Sequence, residues 1–188
     1  MIRISSGLYR GRRLKVPRAG VRPTKDMVRQ ALFSALGDSI CDKRVADLFA
    51  GSGAIGIEAL SRGAGDVIWV ESDPRTFTLL KENVVSIDPA RGDQCRRADV
   101  FFWLKSARAP RGFDLVVADP PYLPVEGEAP WGDRLLAALA ASPLLKSDGL
   151  FVLEQHADQP VVDNPGFDMI KHARYGETLL IYYRKKAS

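Results

Sequence analysis

From residue 44 to residue 155, short apolar runs alternate with segments of helical period, and this alternation restricts the fold more than any other feature. The apolar runs are 44–49, 66–71, 113–119 and 149–155, with a weaker one at 94–98. Between them lie 54–62, stopped by Gly63, and 74–87, with Pro74 in its first turn. A short segment through Phe102, Trp103 and Leu104 and a longer one at 132–142 complete the series. Compact apolar runs read as buried strands, and apolar residues spaced three to four apart read as helices. Strand alternating with helix predicts a mostly parallel sheet covered on both faces, a doubly wound α/β domain. The last two runs, 167–175 and 177–185, flank a turn at Gly176 and predict an antiparallel pair at the sheet edge.

The first 37 residues have a different character. Residues 2–5 and 12–16 read as short strands of a hairpin-like element around Gly7 and Gly11. A Pro/Gly loop follows, then Thr24 as N-cap of a helix over 25–36, ending near Gly37. The expected division is a basic N-terminal extension, 1–37, and an α/β domain, 38–188. The formal net charge of +4 conceals an asymmetry: residues 1–30 hold nine bases and one acid, whereas the remainder holds 18 bases and 22 acids. A block of +8 on a body of −4 is the electrostatic footprint of a polyanion-binding segment, although a solvated basic arm has the same composition. Arg10, Arg12, Arg13, Lys15 and Arg22 are the candidate phosphate contacts.

Composition excludes other classes. A hydrophobic fraction of 46% with 27% charged residues suits a globular core and not disorder or a coiled coil. No apolar run approaches a membrane span, the longest being 135–141, and the N-terminus does not read as a signal peptide. Two cysteines, Cys41 and Cys95, form no disulfide framework, so a cytoplasmic location is expected; a monomer is the default expectation, and the sequence leaves the oligomeric state open.

After the first buried run the chain reads DLFAGSGAIGIEAL, in which Gly51, Gly53 and Gly56 fit G-x-G-x-x-G. Glycines allow a sharp turn and close approach of a ligand to the backbone, and Glu71 closes the next strand where a ribose hydroxyl would be bound. NAD and S-adenosylmethionine both carry such a ribose. Asp47, just before the loop, favours the cationic sulfonium and ammonium of S-adenosylmethionine over a pyrophosphate.

The run 113–119 ends in Asp119-Pro120-Pro121-Tyr122. In an open α/β sheet the crevice lies beyond the carboxyl ends of the strands, which places this tetrapeptide beside the glycine loop. Two prolines fix the backbone and leave carbonyls as acceptors. Asp119 and the Pro120 carbonyl would accept the N–H bonds of an exocyclic amine while Tyr122 stacks on its ring. Acceptors placed there stabilise the positive charge that develops as the amine attacks a methyl sulfonium. No metal is required, and neither His156 nor His172 sits in a metal-ligand spacing. Trp69, Phe77, Phe101, Phe102 and Trp103 read as mostly core.

FAGSG followed by DPPY resembles class I S-adenosylmethionine-dependent methyltransferases with a Rossmann-like sheet. With RGRRLKVP, RPTKDMVRQALFSAL and RYGETLLIYYR, the whole chain is similar to the bacterial RsmD family, which methylates guanine N2 in 16S ribosomal RNA. The resemblance implies S-adenosyl-L-methionine as cofactor, S-adenosyl-L-homocysteine as product, and 16S rRNA or the small ribosomal subunit as partner. It implies Asp47, Gly51, Gly53 and Glu71 around the cofactor, Asp99 near its adenine and Thr24 over its methionine end. It also assigns Asp119, Pro120, Pro121 and Tyr122 to the target base. Where the family usually reads Asp-Arg-Val-Arg-Glu, this chain has Asp26-Met27-Val28-Arg29-Gln30. An adenine-N6 DNA methyltransferase, a dinucleotide-dependent oxidoreductase and a non-catalytic RNA-binding protein are the alternatives.

Overall fold

The computed structural model describes residues 1–16, 23–121 and 129–187, with side chains of the first helix from residue 26 onward. Strand and helix alternate as the apolar pattern requires. The elements are β1 (Ile2–Arg3), β2 (Arg13–Leu14), α1 (Pro23–Leu36), β3 (Arg44–Leu48), α2 (Ala54–Ser61), β4 (Asp66–Glu71) and α3 (Pro74–Ile87). There follow β5 (Cys95–Arg97), α4 (Val100–Ser106), β6 (Phe113–Ala118), α5 (Trp131–Ala140), β7 (Leu145–His156), β8 (Phe167–Tyr175) and β9 (Thr178–Lys185). Seven strands form one sheet in the order β5-β4-β3-β6-β7-β9-β8. The first five are parallel, and β9 runs antiparallel to both β7 and β8.

Alternation along each strand divides the core into two layers. Val45, Val67, Trp69, Leu115, Val117 and Val152 face α1, α2 and α3. Ala46, Leu48, Val70, Val116, Phe151 and Leu153 face α4 and α5. Side chains of a strand point alternately to opposite faces, so both faces must be apolar when helices cover both. The hairpin β1–β2 joins the first layer: Ile2, Ile4 and Leu14 are buried in the same cluster as Val28, Leu32 and Phe33 of α1.

One expectation needs correction. Phe102 is exposed, because α4 buries Val100, Trp103 and Leu104 and the helical period turns Phe102 outward. The C-terminal pair forms the expected antiparallel edge, with β9 between β7 and β8 and β8 outermost. Thr178 to Tyr183 are buried on both faces, whereas most of β8 is exposed. Among the described residues, no helix is long and apolar enough to cross a membrane.

Candidate active site

The crevice forms where the sheet order reverses. From β3 the chain crosses to β4 on one side and later returns to β6 on the other, and this divergence opens a gap at the carboxyl ends. Leu48 pairs with Val70 on one neighbour and with Ala118 on the other. One residue further on, Glu71 and Asp119 therefore flank the start of the glycine loop.

The loop is shaped by backbone constraints that differ at each glycine. Gly51 has φ of +57°, and the position a Cβ would take meets only the Phe49 carbonyl, at 3.9 Å, among the described residues, so a ligand can approach its backbone. Gly53 has φ of +80° and ends the turn as the N-cap of α2. Gly56 is helical; a Cβ there would come within 2.1 Å of Trp69 Nε1, so this glycine lets α2 lie directly on β4. Phe49 is also left-handed, at φ of +57°, a conformation that costs a bulky residue about 1–2 kcal/mol. That turn carries the Ala50 amide to the Val70 carbonyl at 3.0 Å and the Gly51 amide to Glu71 Oε2 at 3.0 Å. The Phe49 ring meets Trp131 edge-on, and Trp131 stacks on Phe101, with the Arg134 guanidinium over both.

The acids converge. Asp47 is buried and accepts the Gly56 amide at 2.9 Å. Burial holds its carboxyl well above the ordinary range; the Gly56 bond opposes this, and repulsion from Asp119 and Glu71 adds to it. Glu71 is half-buried and accepts from the amides of Gly51 and Asp73. Asp119 is half-buried, with its amide 3.4 Å from the Leu48 carbonyl, followed by buried Pro120 and exposed Pro121. Asp99 is exposed at the N-cap of α4, where it accepts the Phe102 amide at 2.9 Å. Asp99, Glu71, Gly51 and Asp119 thus lie in order across the carboxyl ends of β5, β4, β3 and β6. Such a rim suits a cationic ligand with ribose hydroxyls better than a pyrophosphate. Thr24 lies in the first turn of α1, but its side chain is outside the described residues, as are Tyr122 and Arg22.

The basic residues lie along α3 and the hairpin. Arg10 and Arg13 are exposed; Arg12 donates to the Ser86 carbonyl at 2.6 Å; Lys15 pairs with Glu82 at 2.8 Å. Of the run 26–30, Asp26 and Arg29, which keep the family's residues, form an ion pair at 3.0 Å, while Met27 and Gln30 are exposed. Sequence reasoning missed Glu58, Asn83, Phe49 and Trp131. Glu58 carried one signal, a lone acid in the otherwise small and apolar helix AIGIEALS.

Comparison with known proteins agrees with this architecture. The family model described as conserved hypothetical protein 95 matches residues 2–184. Ribosomal RNA small subunit methyltransferase D of Haemophilus influenzae is 31% identical over 186 residues, covering 97% of this chain and 92% of that protein. The protein of the same name from Escherichia coli is 38% identical over 122 residues, 64% of this chain and 60% of its own. The structure of a hypothetical protein of Thermus thermophilus superposes with a TM-score of 0.76 at 34% identity, each chain covered in full. With a match across nearly all of its length, the chain belongs to the conserved hypothetical protein 95 family, the RsmD family.

Proposed function

We propose that this protein transfers a methyl group from S-adenosyl-L-methionine to the exocyclic N2 amine of a guanine in 16S ribosomal RNA. The observation that carries this reading is the convergence of Asp47, Glu71 and Asp119 around the Gly51–Gly53 turn. The names of the Haemophilus and Escherichia relatives support ribosomal RNA of the small subunit as substrate.

Bound S-adenosylmethionine supplies an activated methyl sulfonium. Glu71, held by the Gly51 and Asp73 amides, has lone pairs left for ribose hydroxyls, and Asp99 stands at the adenine side. Asp47 lies beneath the loop and orders α2 through Gly56. Asp119 and the Pro120 carbonyl accept the two N–H bonds of the target amine, and Tyr122 stacks on the base. As the nitrogen lone pair forms the new C–N bond, the C–S bond breaks and positive charge grows on nitrogen. Asp119 stabilises that charge, and the surplus proton passes from the amine to solvent water. Arg10, Arg12, Arg13, Lys15 and Arg22 hold phosphates while an unpaired or extruded guanine enters the crevice.

The test is methylation of unmodified 16S ribosomal RNA, free and assembled into small subunits, by wild type and Asp119→Ala, with nucleosides identified by mass spectrometry. N2-methylguanosine from wild type and a loss of roughly 10²–10³-fold in kcat for the variant are expected. N6-methyladenosine, or equal rates for the two proteins, overturns the reading. Binding should weaken with salt, with a shallower slope for the Arg12→Ala/Arg13→Ala double variant.

A further inference from the structure

We infer that Asn83 is a positioning residue that ties the basic segment to the cofactor loop, so that binding of RNA and of the adenosyl cofactor reinforce each other. The inference rests on the function proposed above and adds a coupling between its two ligands.

Asn83 lies on α3 with 3% of its surface exposed. Its side-chain amide makes three hydrogen bonds. Nδ2 donates to the Ser52 carbonyl at 2.8 Å, inside the glycine loop, and to the Lys15 carbonyl at 2.9 Å. Oδ1 accepts the Lys15 amide at 2.9 Å. One planar group thus pairs with both backbone polar groups of residue 15, as a neighbouring strand would, and with the backbone between Gly51 and Gly53. A buried carbonyl or amide that loses its partner incurs a desolvation penalty, so residue 15 and the loop cannot shift independently. The flanking Leu14 is fully buried, which fixes the segment from its other side.

The cations of this segment are held by exchangeable contacts. The Lys15–Glu82 pair is exposed on both sides, and Arg12 bonds a carbonyl at the end of α3. Exposed pairs of this kind contribute little, so phosphates can replace them. Replacement changes the pull on residues 12–15, and Asn83 passes the restraint to Ser52. A loop already restrained by RNA loses less freedom on binding cofactor, and by linkage the cofactor strengthens RNA binding by the same factor.

Calorimetry of the full chain with S-adenosylhomocysteine, alone and with unmodified 16S ribosomal RNA, measures this factor. In wild type the RNA should tighten S-adenosylhomocysteine by about five-fold or more. Asn83→Asp keeps an acceptor for the Lys15 amide but cannot donate to either carbonyl, and the ratio should fall to about one. A purely structural role would lower the melting temperature and leave the ratio intact, which overturns the inference, as does a ratio of one in wild type. Hydrogen exchange of wild type is independent of how the variant folds. RNA without cofactor should slow exchange of amides 51–56, and unchanged rates overturn the inference. Failure of wild type to bind either ligand strikes the proposed function and not this link.

Discussion

Ser5 binds both oxygens of the Glu58 carboxylate, its amide reaching Oε2 at 2.9 Å and its hydroxyl reaching Oε1 at 2.6 Å. The Ser6 amide adds a third bond at 3.1 Å, and Arg62 and Arg29 pair with the same group at 2.9 and 3.6 Å. Glu58 has no exposed surface, so a fully desolvated carboxylate fastens the N-terminal hairpin to α2.

Glu58→Ala should lower stability by about 3–5 kcal/mol, because Arg29, itself buried, loses this carboxylate and keeps, among the described residues, its contacts with Asp26 and the Arg3 carbonyl. Urea denaturation measures the loss. Proteolysis should begin within residues 1–16 in the variant, and an N-terminus as resistant as that of wild type would contradict the assignment.

Glycine substitutions should separate crowding from backbone strain. Gly56→Ala drives a methyl into the Trp69 indole and Val67, and should cost about 1–3 kcal/mol or more. Gly11→Ala meets no atom within 4 Å but sits at φ of +85°, so it should cost roughly 1–2 kcal/mol through strain alone. Only the first should change the near-ultraviolet signal of Trp69, and equal spectra would argue against the close contact of α2 and β4.

Asp47→Asn should separate stability from ligand binding. The Asp47 carboxyl is raised on folding, chiefly by burial. The folded state therefore holds its proton more tightly than the unfolded state. The contribution favours folding at low pH and declines as pH rises from the ordinary carboxylate value through the raised one. Asparagine still accepts the Gly56 amide and does not ionise. The variant should gain stability relative to wild type as pH rises through that window, while binding S-adenosylhomocysteine more weakly. Denaturation curves at several pH values check the first expectation and calorimetry the second; a pH-independent stability difference counts against the burial argument.

The two thiols should differ sharply. Burial pushes the Cys95 thiol up to about 11, with Lys81 and Arg96 only partly offsetting it, whereas Cys41 is exposed. Titration with an aromatic disulfide at mildly alkaline pH should modify one thiol in the folded protein and two after unfolding. Cys41→Ser should remove the fast reaction; a rapid reaction that survives the substitution would contradict the burial of Cys95.

Much of the fold is legible locally because strands and helices announce themselves by period. The runs 66–71 and 74–87 coincide with β4 and α3, and Asp73 beside Pro74 caps α3 by accepting the Thr76 amide. Three apolar aromatics in a row at 101–103 mislead, since a seven-residue helix has only one buried stripe and composition does not say which ring leaves it. Asn83 and Glu58 gave no motif. Ser5 lies 53 residues from Glu58 and Lys15 lies 68 from Asn83, and these contacts come only from a fold that brings the segments together.

The chain alone determined the alternation of strand and helix, the glycine turn and the acids that close the strands, because period, backbone freedom and side-chain chemistry are local properties. Tertiary structure decided the rest. Strand order set Glu71 and Asp119 on either side of β3, and β9 moved inside β8 because its two faces are apolar and the β8 faces largely polar. Burial raised Asp47, and one amide joined Lys15 to Ser52. Each of these depends on which distant segments share a desolvated space, and no window of sequence contains that information.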